Sequence, residues 1–537
     1  MVFPRLTWPA KAHGGATHFI LLMLLQAATG TGALADDALP GTQASAANPC
    51  APGDVHIVPL PSSAVPWLSG MHGIAERALQ LLRAAPEHGL DPRRYQVDEL
   101  TQRLAGPAGQ SAAFTHDLNG AMVQYLCDLH GGRAAWASRV AAAPDTGFDP
   151  RQHLATVHDA QGLAQAIDAA APAIPLYGRV KAALAQYRAL SRATPDWAAL
   201  PPVGRAAIHA GEPYLGAALL QTRLQLLGDL DAQAPMGSDG IYTPALAGAV
   251  RRFQARHGLE EDGVLGAGTV TALSVPPAHR IAQLALTLER LRWLPPPPAH
   301  GRVVVVNVPT YRLWTFDARD NFAAPALEMR VIVGARGRTP TPLFIGEMRY
   351  LEFAPYWNVP VSIQKNEILP KLARNPAYLQ QNDMELVGSD GRVLLVGAGD
   401  AASRLRAGGA RVRQRPGSRN VLGDVKFGLP NPMNIYLHST SARELFQRTH
   451  RDLSHGCIRV EQPAELAQFV LADPQQWSSA QVLAAMSAGK NRFVKLAEPV
   501  PVVLFYATAL VDRQGRALFA PDLYGRDAAL IAALQLE

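Results

Sequence analysis

Three side chains close together in the chain are of types that carry covalent chemistry. His438 lies in "IYLHST", and His455 and Cys457 lie in "DLSHGCIRV". A thiol attacks a carbonyl only as its thiolate, and a neighbouring imidazole makes that form accessible near neutral pH. His438 ends an expected strand nineteen positions before Cys457. The intervening "SARELFQRTH" reads as helix-like, so the chain can turn back and bring the two side chains together. His455 stands two positions from the cysteine and points the same way in an extended segment. This neighbourhood is expected to lower the thiol pKa. Ser439 can orient His438 through its backbone carbonyl, the role a carboxylate or amide plays in other triads. Gly456 permits close approach of backbone to a substrate and can aim amides at an oxyanion.

The same residues admit a metal reading, because His438, His450, His455 and Cys457 are zinc-type ligands. Their spacings fit no common structural zinc motif, so no metal and no cofactor is expected. Upstream, His116, Asp117, Asp128 and His130 are expected on solvated helix faces rather than around an ion.

The site must be positioned by a chain of 537 residues, too long for one core, which points to about three domains. Residues 1–35 read as an export signal. Arg5 and Lys11 precede the apolar run "FILLMLLQAA", and Ala33 and Ala35 take the small-residue positions of a cleavage site. An uncleaved anchor is the alternative. No later run is long and apolar enough to span a bilayer. Loss of Arg5 and Lys11 lowers the formal net charge of +6 by two. The remainder is mildly basic and suits an anionic polymer, but no dense basic run suits nucleic acid. Of the three cysteines, Cys50 and Cys127 can pair in an oxidising compartment and leave Cys457 alone.

Residues 36–65 read as a flexible leader and 66–205 as a helical scaffold, from the apolar spacing in "AERALQLLRAAPEHGL" and "THDLNGAMVQYLCDLHGG". In 212–275, Thr243 before Pro244 makes an N-cap and first-turn pair, and Leu246, Val250 and Phe253 share a helix face. Residues 276–299 read as a helix and a Pro-rich linker. From 300 to 490 the runs "RVVVVNVP", "RLWTF" and "MRVIVG" indicate strands. The stretch 361–412 looks helical and loop-like, an excursion placed to cover a site, and 491–537 reads as a C-terminal strand and helix extension. Tyr356, Trp357 and Asn358 line a substrate groove or pack in a core. Arg413, Asn420 and Lys426 meet substrate carboxylates or sit on solvated surface.

Two segments resemble known families. Residues 212–275, with Gly240, Tyr242, Phe253, Gln254, His257, Gly258, Asp262 and Gly263, closely resemble the peptidoglycan-binding domain of cell-wall enzymes, a three-helix module. "IYLHST" followed by "RDLSHGCIRV" closely resembles the signature of the L,D-transpeptidases. "TPTPLF", "PYWNVPVSI", "RQRPGSRNVLGDVKF" and the tail from Pro501 extend the likeness to the large Gram-negative members. The catalytic motif shows no departure from the family pattern.

The resemblance implies a multidomain α+β protein: a mainly β catalytic domain with an inserted lid, preceded by an α-helical scaffold and the peptidoglycan-binding module. It implies Cys457 as nucleophile, His438 as base, the Ser439 carbonyl as orienter, His455 as a supporting residue, and Arg459 as structural or carboxylate-binding. It implies a periplasmic enzyme that acts on peptidoglycan stem peptides and forms 3-3 cross-links, alongside a wall synthase or a carboxypeptidase. Two alternatives share these features: a non-catalytic wall-binding protein, and the same site used for hydrolysis or lipoprotein attachment.

Overall fold

A computed structural model describes Cys50 and residues 72–134, 147–204, 207–235, 240–320, 322–397 and 399–535. The expected export signal 1–35 lies outside the described residues, as does the expected leader apart from Cys50. Cys50 is joined by a disulfide to Cys127, and Cys457 is a free thiol. Among the described residues no helix is long and apolar enough to cross a membrane.

The N-terminal region is helical: α1 (His72–Arg83), α2 (Val97–Ala105), α3 (Ala112–Gly131), α4 (Pro150–Ala155), α5 (Ala160–Ala170) and α6 (Pro175–Ala193). Ser111 starts α3 by accepting the Phe114 N–H, which satisfies one of the donors a helix start leaves open. Of the polar residues expected on solvated faces, His116, Asp117 and His130 are partly exposed, whereas Asp128 is buried. Asp128 accepts from the Tyr95 hydroxyl at 2.8 Å, Asp117 pairs with Arg103, and His130 stacks on Phe148. Helix periodicity identified the helix but not these tertiary partners.

A small module follows, with α7 (Ala217–Leu226), α8 (Pro244–Arg256) and α9 (Ala267–Leu273). Thr243 caps α8, and Leu246, Val250 and Phe253 enter the module's core with Tyr242 and Leu265. The next helix, α10 (Pro277–Leu291), is buried along most of its length and precedes the proline run 295–298. Gln283 donates to Ala520 O and Thr287 to Ala509 O, while Glu289 accepts from the Arg133 and Ala134 amides. The helix thus joins the scaffold to the C-terminal tail.

The β region holds β1 (Arg302–Asn307), β2 (Arg312–Asp317), β3 (Leu327–Gly334), β4 (Ile345–Phe353), β5 (Trp357–Asn358), β6 (Met384–Gly388) and β7 (Ala410–Gln414). It continues with β8 (Val425–Gly428), β9 (Leu437–His438), β10 (Asp452–Ser454), β11 (Ile458–Val460) and β12 (Arg492–Phe505). Nine of these run in the order β10-β3-β11-β9-β8-β4-β12-β1-β2. Because β2 also pairs with β3, eight of them close into a ring, with β10 attached to β3 alone. Strand alternation sends one set of side chains inward, where Val331, Val333, Leu351, Phe427, Leu437, Ile458 and Val460 share one core. The strand β12, expected as part of an extension beyond 490, lies in the ring between β1 and β4.

The excursion between β4 and β8 contains strands as well as helices. β5, β7 and β6 form a three-stranded antiparallel sheet, packed with Ile368, Leu372, Leu379 and Ala401 into a core of its own. β6 and β7 were expected as helix or loop. Each is five residues long, and only pairing with the other makes the pattern a sheet.

Candidate active site

Sheet register brings the chemistry-bearing residues together. In β9 and β11, which run parallel, Leu437 pairs with Ile458 and His438 with Arg459. Leu437 and Ile458 are both fully buried inward, so the alternate positions Tyr436, His438, Cys457 and Arg459 share the outer face. β8 adds Lys426 opposite His438, and β4 adds Glu352 opposite Lys426.

His438 is 4% exposed and its Nδ1 lies 2.5 Å from Ser439 O. A carbonyl only accepts, so Nδ1 carries the proton and Nε2 keeps its lone pair. Burial pulls the ring pKa down to about 3, helped by the Arg459 and Lys426 cations and opposed by the Ser439 and Leu422 carbonyls. The imidazole is neutral and its ring is held in place by the Ser439 carbonyl. The Ser439 amide itself donates to Val425 O, which holds the carbonyl in place.

Cys457 lies next to the outer face. Its Sγ donates to Asn434 O at 3.7 Å. Burial pushes the thiol up, against the Tyr436 hydrogen bonds and the Lys426 and Arg459 cations, which favour the thiolate. The expected lowering of the thiol pKa is therefore reversed in the free protein: desolvation outweighs the neighbouring groups. Thiol and imidazole both rest neutral, and nothing in their electrostatics makes an ion pair in advance.

The loop before the thiol is pinned by hydroxyls. Ser454 Oγ donates to Cys457 O at 2.6 Å and accepts the Gly456 N–H at 3.1 Å. Thr341 Oγ1 donates to Gly456 O at 2.8 Å and accepts the Gly334 N–H at 2.8 Å. Tyr524 from the C-terminal tail donates to Gly334 O at 2.6 Å. Gly456 has φ +109, a conformation side-chain-bearing residues rarely adopt. Its amide is used by Ser454, which corrects the expectation that it faces an oxyanion. The Cys457 amide has no protein acceptor among the hydrogen bonds of the described residues and is the better donor.

The other expected residues fall into two groups. Trp357 and Cys457 both lie near the Tyr436 hydroxyl, so Trp357 is one residue removed from the thiol. Arg459 lies beside both Cys457 and His438, and its buried Nε has no hydrogen-bond partner. Lys426 pairs with Glu352 at 3.4 Å and stands 5.0 Å over the Tyr436 ring. His455 turns away to Glu367 of the inserted subdomain, 2.6 Å from Nε2 to Oε1, because the chain bends at 455–456 instead of running extended. Tyr356 lies under the Arg413 guanidinium, which pairs with Glu385, and Asn358 is exposed. Asn420 is no ligand: 1% exposed, it donates to Pro355 O and Arg415 O and accepts from Leu422 N. Tyr436 was missed, although its place two before His438 in a strand was the available signal. Among the described residues no cluster of three or more His, Cys, Asp or Glu side chains is placed to hold a metal.

A thiol, a neutral imidazole and a cation on one sheet face are groups that can together transfer an acyl group. Comparison with known proteins finds three domain matches. Residues 301–500 match the L,D-transpeptidase catalytic domain, 64–184 the scaffold domain, and 216–273 the "Putative peptidoglycan binding domain". The chain thus matches, in order, a scaffold domain, a peptidoglycan-binding domain and an L,D-transpeptidase catalytic domain.

Among individual proteins, it is 32% identical over 245 residues to a Haemophilus influenzae protein named "Putative L,D-transpeptidase". That match covers 46% of this chain and 48% of the relative, about half of each. An L,D-transpeptidase from Xylanimonas cellulosilytica covers 57% of this chain and 100% of its own at 17% identity, with a TM-score of 0.17. One from Stackebrandtia nassauensis covers 57% of this chain and 97% of its own at 14% identity, with a TM-score of 0.22.

Proposed function

We propose that the protein is a periplasmic peptidoglycan L,D-transpeptidase that makes 3-3 cross-links between diaminopimelate residues through a thioester on Cys457. The observation that carries this reading is the outer face shared by Cys457, Nδ1-anchored His438 and Arg459, whose buried Nε has no hydrogen-bond partner. The peptidoglycan-binding module supports the polymer as substrate, and a wall substrate agrees with export through residues 1–35.

The chemistry balances without a cofactor. Cys457 Sγ attacks the carbonyl on the L-centre of diaminopimelate in a tetrapeptide stem as its proton passes to His438 Nε2. The Cys457 amide receives the oxyanion. The C–N bond to the terminal D-alanine breaks, and His438 returns the proton to the leaving amine. The side-chain amine of a second diaminopimelate attacks the thioester, a new C–N bond forms, and the amine's proton returns through His438 to the thiolate. The energy of the new amide comes from the old one. Arg459 lowers the basicity of His438 in the free enzyme, and a substrate carboxylate paired with Arg459 relieves that effect as the stem binds. The inserted subdomain, reaching over to His455, excludes water and favours transfer over hydrolysis.

Intact-protein mass spectrometry of the enzyme incubated with a disaccharide-tetrapeptide tests the reading. An adduct of the tetrapeptide minus D-alanine, absent from Cys457→Ala, is expected. No adduct and no turnover, with the wall polymer still bound, would favour a non-catalytic binding protein. Released tripeptide without cross-linked dimer would favour a carboxypeptidase.

A further inference from the structure

A second site lies outside the thiol's immediate surroundings. A cavity of about 610 Å³ opens between the inserted subdomain and the loop that leads into β12. The subdomain contributes Tyr356, Asp383, Arg415 and Arg419, and the loop contributes Lys490 and Asn491. Three cations thus face one carboxylate. Asp383 is engaged mainly by Arg419, whose Nε donates to Oδ2 at 2.8 Å. Arg419 is further fixed by its Nη1 on Gln381 O at 2.9 Å. Arg415 stands 3.6 Å from Asp383, beyond hydrogen-bonding distance, and about half of its side chain is exposed. Lys490 makes no ion pair among the described residues.

The cavity is connected to the reacting face. Asn491 Nδ2 donates to Glu352 Oε1 at 3.0 Å and lies close to the Phe353 and Ala354 carbonyls. Glu352 pairs with Lys426, Lys426 sits over Tyr436, and Tyr436 lies beside the thiol. Excess positive charge in a walled cleft concentrates anions, and two donors free of tight partners are available to bind one.

We propose that this cavity is a carboxylate-binding subsite, with Arg415 and Lys490 as its donors, that holds an acidic group of the peptide stem away from the reacting carbonyl. The inference rests on the reading of the chain as an enzyme of peptidoglycan stems. It assigns the inserted subdomain a second role, in recognition as well as in covering the thiol.

Isothermal titration tests it with the full chain carrying Cys457→Ala, so that ligand is not turned over. The probe is a disaccharide-tetrapeptide, titrated with and without Arg415→Gln and Lys490→Gln together. Both substitutions leave the Arg419–Asp383 pair in place, and an unchanged unfolding midpoint checks the fold. Affinity is expected to fall about five- to tenfold, the scale of two partly exposed ion pairs. With the stem's carboxylates amidated, the two proteins should bind alike. Equal affinity for the unmodified peptide, an equal loss with the amidated one, or no measurable binding would each overturn the proposal. The thioester adduct, measured separately with Cys457 present, keeps the two readings apart. Adduct with equal affinities would sink only the subsite; no adduct with the affinity difference intact would sink only the transfer reaction.

Discussion

His455 Nε2 lies 2.6 Å from Glu367 Oε1, which ties the loop carrying the thiol to the inserted subdomain. The contact is two residues from Cys457 in sequence and belongs to the subdomain that stands over the same region. Both side chains are well exposed, 52% and 38%, so water screens the pair and it holds the subdomain only weakly. Glu367→Ala is expected to loosen this tie and admit water. The ratio of hydrolysed tripeptide to cross-linked dimer should rise by up to about fivefold, the limit an exposed pair of ~1 kcal/mol sets. Chromatography of the products reads the ratio, and an unchanged ratio would remove the contact from any role in water exclusion.

The neutrality of His438 has a definite pH signature. Burial and the Arg459 cation hold its pKa at about 3 in the folded protein, against about 6.5 for a free ring. The unfolded chain therefore binds that proton more readily. The stability that the neutral ring supports is fully present above pH 6.5 and is lost as pH falls from there towards 3. His88, also held at about 3, acts in the same direction. The ring of His438, followed by NMR, should show no protonation between about pH 8 and 5, and Arg459→Gln should raise its pKa. A His438 ring that titrates near 6.5 in the folded enzyme would contradict this account.

That Cys457 and His438 come together was legible in the sequence because their side-chain types are rare together and their spacing suits a strand that turns back. What surrounds them was not. The thiol's direction of shift depends on burial, which neighbours in sequence do not reveal. Tyr436 reads as an ordinary aromatic of an apolar strand until pairing places it beside Cys457. The strand β12 contains Pro499 and Pro501 and changes register between Lys495 and Val500, so it lacks the regular alternation of a strand in mid-sheet. β6 and β7 owe their identity to each other and to Gln364, which accepts the Val412 amide at 2.9 Å. Such long-range pairing leaves little local trace.

Ser454 supports the thiol without facing a substrate. Its hydroxyl joins Gly456 N to Cys457 O inside a turn where Ser454 itself is 4% exposed. Ser454→Ala leaves a buried amide without its acceptor and should cost about 1–3 kcal/mol. Acylation should slow as the turn loses its geometry, with the affinity for the stem little changed. Chemical denaturation and single-turnover adduct formation measure the two effects. Full acylation rate in a destabilised Ser454→Ala protein would confine the hydroxyl to stability.

The C-terminal tail holds the site through two contacts of different kinds. Arg290 of α10 pairs with Asp527 at 2.5 Å, both nearly buried, and Thr508 also donates to Asp527. Asp527→Asn keeps the shape but leaves the Arg290 charge buried without its counter-ion, which should cost about 3–5 kcal/mol. Three residues upstream, the Tyr524 hydroxyl donates to Gly334 O and accepts from Thr341 N, the residue whose side chain holds Gly456. Tyr524→Phe loses those bonds but keeps the ring packed, so it should slow acylation more than it lowers stability. Opposite rankings of the two variants in denaturation and in adduct formation are therefore expected. If both lowered stability and acylation in the same proportion, the tail would act on the thiol only by keeping the domain folded.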